Sequence, residues 1–149
     1  MNNDLKQLIE ALIEVEVQMN LYYQALMDFL PKHKENWEKL SKQEYAHAKV
    51  LARVRHEMQK SPEQYAAGKH TLGAARMIIK DSSEMIEKVI RREVNPRYAV
   101  SFIADIEKSA VESNLHEAIR TDNVEIRNLL NRIGKETDGH RNLLQSIEV

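Results

Sequence analysis

Apolar residues recur along most of the chain at intervals of three and four, the period of a helix with one buried face. One stripe reads Leu5, Ile9, Leu12, Glu16, Met19, Tyr23, Leu26, Leu30, and a second reads Trp37, Leu40, Glu44, His47, Leu51, Val54, Met58. A third runs Val100, Ile103, Glu107, Ala110, and a fourth Ile126, Leu130, Ile133, Thr137, His140, Leu144, Ile147. Pro31, Pro62 and Pro96 stand where stripes stop or start, as a residue without an amide donor should. The pattern predicts helices at about 3–30, 33–60, 96–120 and 122–147, with Pro96 in a first turn and Thr121 or Asp122 capping the last helix. Residues 61–95 hold the irregular stretch SPEQYAAGKHTLG and then an amphipathic segment at about 74–93. Its apolar face is Ile78, Ile79, Met85, Ile86, Val89 and Ile90, with Ile78, Ile86 and Val89 expected to pack on protein. Two pairs of long helices joined by one long link predict a single all-α domain over residues 1–149. Its expected form is an antiparallel four-helix bundle with a helical crossover between helices 2 and 3.

Composition removes alternatives. Only 4 glycines, 3 prolines and 5% aromatics leave little material for strands and tight turns. The 22 basic and 23 acidic residues are balanced, which argues against a nucleic-acid-binding face. No apolar run reaches the roughly 20 residues that span a bilayer, and the N-terminal segment lacks the features of a signal peptide, so no membrane partner is expected and the cytoplasm is the expected compartment. With no cysteine there is neither a disulfide nor a thiolate metal site.

The chemistry lies where the stripes break their own rule. Glu16, Glu44 with His47, Glu107, and Thr137 with His140 all stand on faces otherwise made of core residues. Glu44 and His47 are three apart and share one side of their helix, while Glu136 lies four before His140 and shares a side with it. Depths match as well. Glu16 lies 15 residues before Pro31 and Glu44 lies 13 after it, while Glu107 lies 14 before Thr121 and Glu136 lies 15 after it. At 1.5 Å per residue both hairpins carry their polar interruptions roughly 20 Å from their own turns. Several carboxylates meeting inside a core would repel strongly, and a divalent cation resolves that cost by taking carboxylate and imidazole ligands.

These residues, in EVQMNLYY, QEYAHAKVL, IEKSAVES and KETDGHRNLL, resemble the rubrerythrin branch of the ferritin-like di-iron proteins. The ferritin-like arrangement takes one Glu from each of two helices and Glu-x-x-His from each of the other two. The resemblance implies Glu16, Glu44, His47, Glu107 and His140 as metal ligands for two iron ions per chain, with manganese or zinc as substitutes. Two positions depart from it. Thr137 occupies the place of the second Glu-x-x-His carboxylate, for which Glu136 is the expected replacement, and Ala110 stands where rubrerythrins carry a further helix-3 carboxylate.

The implied activity is redox chemistry on peroxide or oxygen, with electrons from a separate donor protein. Iron oxidation for storage or detoxification, and a helical interaction bundle with a vestigial site, are the other readings. A homodimer is the expected assembly. Tyr23 is expected to be a core residue with a satisfied hydroxyl, with a hydrogen bond inside the site or a transient radical as the alternative. Tyr22 and Tyr45 are expected to be packing residues, and His33, His56, His70 and His116 to lie on the surface.

Overall fold

The structure is a computed structural model that describes residues 1–68 and 71–149; the expectation for His70 lies outside the described residues. The chain is mostly helical. α1 (Asn3–Phe29) begins at Asn2, whose side chain accepts from the Leu5 amide 2.8 Å away. One 3₁₀ turn, Pro31–His33, leads into α2 (Lys34–Lys60). α3 (Thr71–Ile90), α4 (Pro96–Lys108), α5 (Ala110–Ser113), α6 (Leu115–Ala118) and α7 (Val124–Ser146) complete the helices. α1 packs against both α2 and α3, while α7 packs against α4, α5, α6 and α2. The stripe residues Ile9, Leu12, Met19, Leu26, Leu51, Val54, Ile103, Leu130 and Ile133 are buried in one shared core. No helix is long and apolar enough to cross a membrane among the described residues.

In the crossover, Val89 is buried and Ile78 and Ile86 are half-buried against the core, with Ala75, Ser82 and Met85 completing the inner face of α3. Ile90 instead stays 63% exposed, because α3 ends there and the chain turns away. That ending is a tight C-terminal motif in which the Glu93 amide donates to the Lys88 carbonyl and the Arg92 amide to that of Val89. It holds Arg92 at φ 58°, a left-handed conformation that favours glycine. Arg92→Gly is therefore expected to stabilise the protein by about 0.5–1 kcal/mol in denaturant unfolding, since it relieves the Cβ clash.

Three features depart from the sequence pattern. The third predicted helix does not run from 96 to 120: it stops at Lys108, where Ser109 takes extended backbone (φ −64°, ψ 154°), and α5 and α6 follow as separate short turns. A two-stranded antiparallel sheet joins β1 (Tyr65–Ala67) in the crossover to β2 (Ile119–Thr121), with Tyr65 opposite Thr121. Beside it the Gly68 amide donates to the Ala118 carbonyl at 2.7 Å, and a Cβ at Gly68 would lie 2.2 Å from the Glu117 carbonyl oxygen. Glycine is there because two backbones touch. Finally, the cap of α7 is neither Thr121 nor Asp122 but Asn123, whose side chain accepts from the Ile126 amide.

Candidate metal centre

The polar interruptions of four different helices meet in the interior. Glu16 comes from α1, Glu44 and His47 from α2, Glu107 from α4, and His140 from α7, and each is no more than 2% exposed. They form two groups that share Glu44: Glu16, Glu44 and His47, and Glu44, Glu107 and His140. Within each group the potential ligand atoms all lie within 4.8 Å of one another. In the α1–α2 pair the matched distances of Glu16 and Glu44 from the Pro31 turn explain their meeting.

A sixth residue belongs with them. Glu112 on α5 is 1% exposed, and of its charged neighbours the Glu16 carboxyl acts on it most strongly, followed by Glu107. On an unbroken helix, residues 107 and 112 would point about 140° apart, so a continuous reading of helix 3 sends only one of them inward. The break at Ser109 resets the rotation. The weak helix formers Ser109, Ser113 and Asn114 around a four-residue helical piece were the only sign of it.

Glu136 does not join the ligand groups. It turns towards the site but stays at the edge, with its side chain 39% exposed. Its Oε2 sits 2.6 Å from Nε2 of His47, while its Oε1 accepts from Nε of Arg132 at 3.2 Å. The expectation that it replaces the carboxylate missing at Thr137 is thus corrected: from position 136 the side chain reaches the outer nitrogen of a neighbouring imidazole. Thr137 itself is fully buried, with an unpartnered hydroxyl.

Both imidazoles are oriented in the same manner. The His47 Nε2–H donates to Glu136, and the His140 Nε2–H donates to Oε1 of Gln43 at 2.5 Å. Each Nδ1 then faces inward: that of His47 is 3.5 Å from Glu44, and that of His140 is 2.8 Å from Glu44 and 3.3 Å from Glu107. The two rings stack with centroids 5.5 Å apart. Tyr23 donates its hydroxyl hydrogen to Oε1 of Glu107 at 2.7 Å and stacks on Trp37, so its hydroxyl is satisfied within the site. Tyr22 is buried and donates to the Ala99 carbonyl, as a packing tyrosine should. Tyr45 is corrected, since it is 53% exposed with Lys49 lying over its ring. His56 and His116 are on the surface, whereas His33 is half-buried against Trp37 and donates to the Glu148 carbonyl.

The electrostatics are those of acids packed together. Burial, followed by the neighbouring Glu44, pushes the Glu16 carboxyl well above its ordinary value. Burial and the charge of Glu107 push Glu44 up to about 8. Burial and Glu16 raise Glu112 strongly. Burial alone would lower His140, but its close contacts with Glu107 and Glu44 outweigh that and raise it to about 10. Burial lowers His47, and Glu136 only partly offsets the effect. Among the described residues no Lys or Arg pairs with Glu16, Glu44, Glu107 or Glu112. Oxygens of all four carboxyls, and Nδ1 of His47, lack any hydrogen-bond partner. Glu44 Oε1 is among them because it lies off the hydrogen-bond direction of His140 despite its closeness.

Orphaned oxygens facing one another beside inward imidazole nitrogens are a donor set suited to hard and borderline divalent cations. A cleft of ≈ 230 Å³, lined by Gln43, Glu136, Gly139 and His140 among others, opens beside His140. No family model, curated protein or solved structure matches this chain.

Proposed function

We propose that the chain is a ferritin-like four-helix-bundle protein with a di-iron carboxylate centre, and that it performs rubrerythrin-like redox chemistry on oxygen or peroxide. The observation that carries this reading is the pair of ligand groups sharing Glu44, because a carboxylate common to two groups can bridge two ions. Glu16 and His47 would serve one side, Glu107 and His140 the other. Two bound iron ions supply paired electrons for reducing a small oxidant.

The protein's own part is positional. Glu136 and Gln43 hold the Nε2 side of each imidazole outward, so that each Nδ1 faces the carboxylates and would be free for a ligand bond once deprotonated, an orientation typical of metal-bound histidines. Tyr23 fixes Glu107, and burial keeps its phenol protonated, so it remains a donor at any ordinary pH. The centre sits among apolar core residues, and a cleft opens beside His140 at its outer side. Electrons for turnover come from a separate donor protein.

Anaerobic titration of metal-free protein with Fe(II) tests the reading. Saturation at two ions per chain is expected, followed by consumption of peroxide when an external reductant is supplied. No binding overturns it, and continued uptake of iron in air far beyond two per chain would instead favour storage. In the same titration Glu136→Ala should keep two ions while weakening affinity about 10–100-fold, as removal of an outer partner of a ligand does. Saturation at one ion would make Glu136 a ligand after all.

A further inference from the structure

The ligand set described so far is one carboxylate short. His140 has no acidic partner three residues before it, since position 137 is threonine, and Glu136 is engaged with His47 and Arg132. Two divalent ions carry four positive charges, yet Glu16, Glu44 and Glu107 supply only three negative ones. The core would then hold an uncompensated charge, which is strongly unfavourable at low dielectric.

Glu112 lies outside the two groups whose ligand atoms come within 4.8 Å of one another, but among the described residues it is the one further buried acid beside them. It is 1% exposed, and neither of its oxygens has a hydrogen-bond partner. Its carboxyl meets that of Glu16, an acceptor like itself unless one of the two is protonated, so the contact is unfavourable without a proton or a cation between them. The segment carrying it is pinned in place. Arg141, one residue after His140, donates from Nη1 to the Glu107 carbonyl at 3.1 Å and to Oγ of Ser113 at 2.9 Å. One guanidinium thus ties the end of α4 and the end of α5 to the helix that carries His140. A helix interrupted at Ser109, a clamp across the interruption and a buried acid set against another acid form a consistent set.

We propose that Glu112 is a metal ligand of this centre, that it supplies the carboxylate Thr137 cannot, and that the break after Lys108 is what delivers it. The inference rests on the two-metal reading above. Delivery from the α4–α5 segment puts the fourth carboxylate beside Glu16 and leaves the Thr137 position small. Arg141 is then a positioning residue, acting on Glu112 through Ser113.

Anaerobic titration with Co(II), followed by visible absorption, separates this inference from the reading beneath it. Wild-type protein should take two equivalents. Glu112→Gln keeps the shape and removes the charge, so it should bind the first equivalent and lose the second. The loss should exceed the about 10–100-fold expected from an outer partner of a ligand. Its metal-free melting temperature should equal or exceed that of wild type, because an unpartnered acid has been removed. Glu112→Asp, with its charge on a shorter arm, should take both equivalents with the second one weakened. Two equivalents at wild-type affinity in Glu112→Gln overturn the role of Glu112 and leave the two-metal reading standing. No Co(II) in wild type overturns both. A lost second equivalent accompanied by a lower metal-free melting temperature assigns Glu112 a structural role instead.

Discussion

Metal-free protein is expected to lose stability as the pH rises from about 6 to about 9, with a fall in melting temperature of at least about 5 °C. The sign follows from the direction of each shift. Glu44 ionises near 4.5 when unfolded and at about 8 when folded, so the folded state holds the extra proton across that window. Its stabilising contribution is complete below about 4.5 and is lost as the pH passes about 8. His140 acts in the same direction between 6.5 and about 10, being fully stabilising below its unfolded value and losing that contribution above its folded one. Glu16 and Glu112, raised mainly by burial, add to the alkaline loss. His47 is the exception: its lowered value makes it stabilising above 6.5, with that contribution lost as the pH falls. The metal-free optimum therefore lies in mildly acidic solution. Bound metal should reverse the trend, since it needs its ligands deprotonated and gains affinity as protons leave. Scanning calorimetry from pH 5 to 9, with and without two equivalents of metal, reads both curves. A flat metal-free curve would show that the buried acids are not held protonated.

Glu44→Gln should have the largest effect on binding of any single substitution. Glu44 is the residue common to both ligand groups, so its loss removes a ligand from each half at once. Binding of both equivalents should fall by more than about 100-fold, beyond the range seen for outer partners. Stability should move the other way. Burial and the charge of Glu107 push the Glu44 carboxyl up to about 8, so near neutral pH the amide should replace it with little change in charge. At pH 9, where the wild-type carboxyl is forced to ionise in the core, the variant should melt higher than wild type. Metal titration together with melting at both pH values checks the pair. Retention of one tight ion would mean that Glu44 serves one half only. A variant less stable than wild type at pH 9 would mean that its carboxylate is better compensated than its surroundings suggest.

Five of the clustered polar residues were legible without coordinates. Glu16, Glu44, His47, Glu107 and His140 were visible because helical periodicity assigns every position to a face, and a charged residue on a core face is an anomaly in one dimension. For Glu16 and Glu44 the common height was legible too, because rise per residue converts separation from the Pro31 turn into distance; for Glu107 the same arithmetic assumed a helix to 120 that stops at Lys108. The helical class followed from scarce glycine, proline and aromatics, and the inward face of α3 from its own stripe.

Tertiary structure decided what depends on a change of phase or on a distant partner. The interruption at Ser109 rotates everything after it, so Glu112, which an unbroken helix would turn away from the side of Glu107, becomes a buried neighbour of Glu16. Glu136 has the spacing of a ligand but is drawn outward to His47 and Arg132, a choice between partners that only their placement settles. The β1–β2 pairing needs segments more than fifty residues apart to touch, and only the glycine at position 68 marked the approach. Local sequence determines which face a residue occupies on a regular helix; where the helix stops, and which neighbour a flexible carboxylate takes, are set by the packing of the whole chain.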